Sequence, residues 1–307
     1  MDKNERLALS RQRSTGAVIT DGYQLFFNNI WSVIKRTWVL AIVYALVFGF
    51  TGYYFCVNLL PKMITGDGLL LSPKALWPEI GIFAVYVFFF LLMAVLIASK
   101  IIKLFKEHRQ EGFISVHINW KQLVIPTTNR RLLLIVAWLL LAIIVSVALI
   151  WGTSAAMVAV TGVDGFFSSL PVMLVVALVV IVLICALLPF GYTLMKNALD
   201  GPLAFFPPVK GYRKGFYHEG LLFCVMLTTG IVTLLLTILF EAPAIYMLVA
   251  HVEAQKSVLL GDPNGLPDNI ALLTFLAFAF SGFFQAYIHI STLFPLYYTY
   301  GKIELKY

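Results

Sequence analysis

Six long apolar runs leave this chain few folds to choose from. They cover about Val39–Leu59, Ile80–Ser99, Leu132–Gly152, Pro171–Leu194, Leu221–Val249 and Ile270–Tyr298. Each reaches the roughly 20 residues that an α-helix needs to cross a bilayer. A membrane β-strand would instead alternate over about 10 residues. Apolar residues make up 61% of the chain and charged ones 12%, against about 45–50% and 25% in a soluble domain. The expected fold class is therefore all-α: one integral membrane domain over residues 1–307 with six transmembrane helices. The last two runs are long enough to tilt or kink, with Pro243 and Pro295 as the candidate kink points.

The basic residues orient these spans. Nineteen of the 22 Lys and Arg residues lie in the N-terminal 38 residues, between spans two and three, between spans four and five, or in the tail. Only Lys62, Lys74 and Lys256 lie on the other side. Cytoplasmic loops concentrate Lys and Arg, so both termini are expected in the cytoplasm. The net charge of +7 then points to anionic headgroups of the lipid bilayer as partners and gives no support to nucleic-acid binding. The first apolar run follows a basic leader (residues 1–20), so span one is expected to direct insertion itself. Cys56, Cys185 and Cys224 fall inside spans and read as small buried apolar side chains.

The spans suggest three repeats, about 21–105, 116–196 and 210–300, each a short amphipathic segment followed by a helical hairpin. Gly22-Tyr23-x-x-x-Phe27 matches Gly211-Tyr212-x-x-x-Phe216, and Trp120 followed by Val124 is a looser middle version. The aromatic residues at 23, 120 and 212 are almost evenly spaced, as an internal repeat requires. Spans four and six also share Pro-x-x-Tyr, at Pro189/Tyr192 and Pro295/Tyr298. Residues 21–36 read as an amphipathic helix capped by Asp21. Tyr23, Phe27, Ile30, Trp31 and Ile34 form one face and Gln24, Asn28, Ser32, Lys35 and Arg36 lie mainly on the other, which suits the headgroup layer.

Signatures of catalysis are missing. The sequence has no Walker A loop, no Gly-x-Gly-x-x-Gly, no Gly-x-Ser-x-Gly and no His-Glu-x-x-His. The five His residues are scattered: His108, His117 and His218 read as cytoplasmic, His251 as far-side and His289 as intramembrane. A His-ligated metal needs converging ligands, so neither a metal nor a cofactor is expected, and the chain does not read as an enzyme.

Polar residues inside the spans concentrate in the last two. Thr229, Thr233, Thr237 and Glu241 recur every four residues in span five, and Ser281, Gln285 and His289 do so in span six. Residues four apart share one helix face. If Leu221 is level with Tyr298, Thr229 faces His289, Thr233 faces Gln285 and Thr237 faces Ser281. Such a stripe either staples the two helices together or lines a polar pathway. Glu241 favours the second reading as an intramembrane ionisable group, although its place near the far boundary would also let it reach water.

The basic leader, the aromatic-Asn segment Tyr23-Gln24-Leu25-Phe26-Phe27-Asn28-Asn29 and the three hairpins resemble YciC-like bacterial inner-membrane proteins. They also resemble the membrane domain attached to some glycerophosphodiester phosphodiesterases, whose catalytic domain this chain lacks. The resemblance is one of layout and implies a multi-pass protein of the bacterial cytoplasmic membrane. The expected function is non-catalytic: a structural or interaction role in envelope or lipid homeostasis, with an unidentified protein partner or a second copy of the chain. The alternative is a small transporter or lipid-handling channel that uses the polar stripe.

Overall fold

The computed structural model describes residues 13–65, 73–112, 114, 170–200, 209–261 and 266–305. Eight α-helices occur among them, and no strand: α1 (Thr15–Asn28), α2 (Ile30–Tyr54), α3 (Leu60–Thr65), α4 (Pro73–Glu111), α5 (Leu170–Leu199), α6 (Val209–Phe216), α7 (Glu219–Leu259) and α8 (Ile270–Leu305). A π-helical turn, Phe55–Leu59, joins α2 to α3. It immediately precedes Pro61, which has no N–H and crowds the carbonyl four residues back, and a widened turn accommodates both defects.

Among the described residues, four helical stretches are long and apolar enough to cross a membrane: Ile30–Ile64, Gly81–Gln110, Glu219–Leu259 and Ile270–Glu304. They contain the first, fifth and sixth apolar runs and all of the second but Ile80. The fourth run coincides with the 30-residue α5. The third run, Trp120, Val124, Trp151 and His117 lie outside the described residues.

The first amphipathic segment differs from its expected form. Ser14, not Asp21, caps the helix, its Oγ accepting from the Ala17 N–H at 3.2 Å. Asp21 instead sits mid-helix, paired with Arg13 at 2.6 Å. The helix also breaks at Asn29, whose side chain donates to the Leu25 carbonyl at 3.0 Å. An Asn side chain competes well for backbone groups, which ends α1 there. Val18, Gly22 and Phe26 face inward, whereas Phe27 and Trp31 point outward.

The last helix, α8, is the hub, contacting α1, α2, α4, α5 and α7. Its approach to α2 depends on glycine. A Cβ on Gly52 would overlap the Phe278 ring, and one on Gly282 would sit 2.7 Å from Phe48 Cβ. Without a hydrophobic drive between helices in lipid, small residues that permit close van der Waals contact hold such crossings together.

The buried core gathers toward the end of the bundle that carries α1 and the end of α8. Val33, Ile101, Phe105, Tyr192, Met195 and Phe294 meet there, and Phe105 stacks on Tyr297 with centroids 4.4 Å apart. Ion pairs close the same end: Arg36 with Glu107 at 2.7 Å, Arg109 with Asp200 at 2.7 Å, and Glu304 with Lys196 and Lys214 at 3.0 and 3.1 Å. Elsewhere large apolar side chains face outward, among them Phe88, Leu178, Leu235 and Leu239. Cys56 is buried, but Cys185 and Cys224 lie on this outer surface rather than inside. Both α7 and α8 continue as single helices through Pro243 and Pro295.

Candidate functional site

The polar stripe lies where α7 and α8 run antiparallel. Four contacts set their register. The Gln285 amide donates to Glu241 Oε1 at 2.7 Å, and the Ser281 hydroxyl donates to the Phe240 carbonyl at 3.0 Å. The Phe240 and Phe284 rings stack at 4.3 Å, and His251 Nε2 meets Thr274 Oγ1 at 2.9 Å.

This register differs from the expected one. Gln285 meets Glu241 rather than Thr233, and Ser281 meets Phe240 rather than Thr237. The four contacts shift the register by three to eight residues, about six on average, or ~9 Å at helical rise. The cause is the end of α8. The expectation levelled Leu221 with Tyr298, where the apolar run stops, but α8 remains helical to Leu305. Glu304, near its end, pairs with Lys196 and Lys214 and accepts from the Tyr192 hydroxyl. The ends that are level are therefore Glu219 and Leu305.

The seven stripe residues divide among three settings. Glu241, Ser281 and Gln285 form the seam, with Ser281 fully buried and Gln285 nearly so. Beyond Glu241, α7 continues to Leu259 and exposes Ile245, Tyr246 and Val249. Thr229, Thr233 and Thr237 line an open groove of about 400 Å³ with Thr292 and Leu296 of α8. Thr229 spends its hydroxyl on the Val225 carbonyl at 2.8 Å. The Thr233 hydroxyl and Gln285 Oε1 are buried without a hydrogen-bond partner. His289 is turned away from the Thr residues into a second groove, described below.

Of the remaining histidines, His117 lies outside the described residues and His251 is buried, 3% exposed. His108 lies 3.2 Å from the Tyr297 hydroxyl, and His218 lies 3.1 Å from the Lys214 carbonyl. Among the described residues no group of three or more His, Cys, Asp or Glu side chains could hold a metal.

A feature that the sequence reading missed is common to α5 and α8. Both carry Thr after Pro-x-x-Tyr, and both threonines donate to the carbonyl of their own proline: Thr193 to Pro189 at 3.0 Å and Thr299 to Pro295 at 2.8 Å. A short amphipathic helix rests on each proline. A Cβ on Gly215 of α6 would lie 3.0 Å from the Pro189 carbonyl oxygen, and one on Gly22 of α1 would lie 2.7 Å from Pro295. The extra Thr was available as a sequence signal. The packing of α1 on the last helix was not.

No family model, curated protein or solved structure matches the chain.

Proposed function

We propose that this is a non-catalytic protein of the bacterial cytoplasmic membrane with a structural or interaction role in envelope or lipid homeostasis. In this reading it is a YciC-like protein with six spans in three hairpin repeats and both termini in the cytoplasm. The hydrogen bond between Gln285 and Glu241 carries the functional part. The one carboxyl group of the stripe lies in the contact between two helices, which supports a staple over a cargo site. The Pro-x-x-Tyr-Thr elements with their matching hydrogen bonds, and the amphipathic helix seated on each, support the repeat.

A small transporter or lipid-handling channel is the second reading, favoured by the groove that Thr229, Thr233, Thr237 and Thr292 share. Thiol accessibility separates the two. Cys introduced at 233 or 285, in a background with Cys56, Cys185 and Cys224 replaced by Ala, should stay unreactive toward a membrane-impermeant thiol reagent if the stripe is a seam. Rapid labelling at both positions means that water enters, and rejects the staple. The interaction role is tested by affinity purification in mild detergent, where a reproducible stoichiometric partner or a second copy of the chain is expected.

A further inference from the structure

A groove of about 340 Å³ opens between α2, α4, α5 and α8, beside the threonine groove, with Thr292 lining both. That volume falls in the range of small-molecule sites. Its walls are mostly apolar: Tyr44 and Phe90, with ring centroids 4.7 Å apart, form one side, and Ala94, Ala98 and Ala286 leave room beside them. His289 is exposed into this space. The nearby Thr292 hydroxyl is engaged with the His289 backbone carbonyl at 2.8 Å, and the imidazole makes no hydrogen bond among the described residues.

Depth narrows the occupant. His289 lies eleven residues along α8 from Tyr300, which bonds Asp200 in the polar belt at the bundle end. Eleven residues of helix are about 16 Å, roughly half of a ~30 Å hydrocarbon layer. A phospholipid keeps its ester oxygens at the headgroup layer and offers only methylenes at this level. An imidazole exposed to methylenes has lost water without gaining a partner, which is costly. A ligand that suits the groove lays a flat ring against Phe90, carries an apolar tail, and offers a carbonyl acceptor to His289 near the middle of the bilayer. We propose that the groove binds an isoprenoid quinone, with the His289 N–H donating to a ring carbonyl. This inference requires that the chain lie in a membrane. It does not depend on whether the α7/α8 stripe is a seam.

The test uses the full-length protein in phosphatidylcholine nanodiscs and a quinone carrying a photoreactive azido group on its ring. Label should appear on peptides containing Phe90–Ala98 or Ala286–Leu293 and be displaced by decylubiquinone. His289→Leu should weaken that displacement about fivefold, as loss of one net hydrogen bond implies. His289→Gln, which keeps an N–H donor, should recover part of it, so that a mere packing defect is distinguished from loss of the bond. Ala94→Phe, which fills the groove, should abolish specific labelling. Label elsewhere on the chain, labelling indifferent to His289, or equal displacement by a diacyl lipid would each overturn the proposal. None of these outcomes bears on the thiol accessibility of positions 233 and 285, so the two readings fail separately.

Discussion

A double-mutant cycle on the α7/α8 seam tests the register and the staple together. Gln285 is 3% exposed and donates to Glu241 at 2.7 Å, so either partner mutated to Leu should lose this bond. Intramembrane hydrogen bonds of this kind average about 0.6 kcal/mol, with a ceiling near ~1.7. Gln285 Oε1 is already buried without a partner, and removing it relieves some of the loss in Gln285→Leu. The single variants are therefore poor gauges, and the coupling between them is the informative quantity. Glu241→Leu with Gln285→Leu should couple by about 0.6 kcal/mol, whereas Thr233→Val with Gln285→Leu should couple by less than the usual ~0.3 kcal/mol additivity error. Glu241→Gln, which keeps an acceptor for the same bond, should stay close to wild type. The assay is reversible unfolding in mixed micelles, followed by far-UV circular dichroism as the denaturing detergent fraction rises. Coupling to Thr233 with none to Glu241 would restore the register inferred from the apolar runs and refute the reasoning.

Three further outcomes are expected. Alkaline phosphatase fused after Tyr307 should be inactive and fused within residues 60–79 active, and activity at the C-terminus would overturn the both-ends-in topology. Gly52→Ala, whose new methyl would overlap the Phe278 ring, should cost about 1–3 kcal/mol of detergent stability through overpacking, while Gly230→Ala, with nothing within 4 Å, should be neutral or mildly stabilising. Lys62, hydrogen-bonded to Glu79, holds that carboxyl below its ordinary value, so the bond stabilises the fold above the ordinary carboxylate range and the benefit is lost as pH falls through the depressed folded value. The melting-temperature gap between wild type and Glu79→Gln should accordingly be present at pH 6 and shrink under acid, and a gap that widens under acid would contradict the sign.

Hydropathy made the membrane character legible, because a long apolar helix has few other uses. Where each helix ends was not legible in the same way. The residues after Tyr298 include Lys302 and Glu304, so they read as a tail, yet ion pairs with Lys196 and Lys214 keep them helical. That extension slid the whole α7/α8 register and assigned Gln285 a different partner. The start of α1 was misread for a related reason. Ser14 and Asp21 are both good capping residues, and the aromatic periodicity begins beside the second. The glycines of α2 were visible as small residues, but only the fold reveals that Phe275 and Phe278 fill the space they leave.

The two proline-bearing helices clarify why the bundle closes as it does. Proline removes one backbone hydrogen bond, the one to the carbonyl four residues earlier. In α5 and α8 the residue four positions after the proline is a threonine whose hydroxyl bonds a different group, the proline's own carbonyl, while the ring presents an apolar surface. An amphipathic helix with a glycine at the contact can then lie close against it, as α6 does on Pro189 and α1 on Pro295. The α6 case joins neighbours in the chain, but the α1 case joins the first helix to the last. Phe26 of α1 meets Phe294 at 5.2 Å, and Arg13 lies 4.7 Å over the Tyr298 ring. Under a threefold reading, the third unit's amphipathic helix caps the hairpin before its own, and the first unit's caps the third. A linear row of hairpins would leave the Phe294–Tyr298 surface uncovered. Seating α1 there buries it and brings the start of α1 and the end of α8 to one end of the bundle, where Arg36, Arg109, Lys196 and Lys214 also form ion pairs.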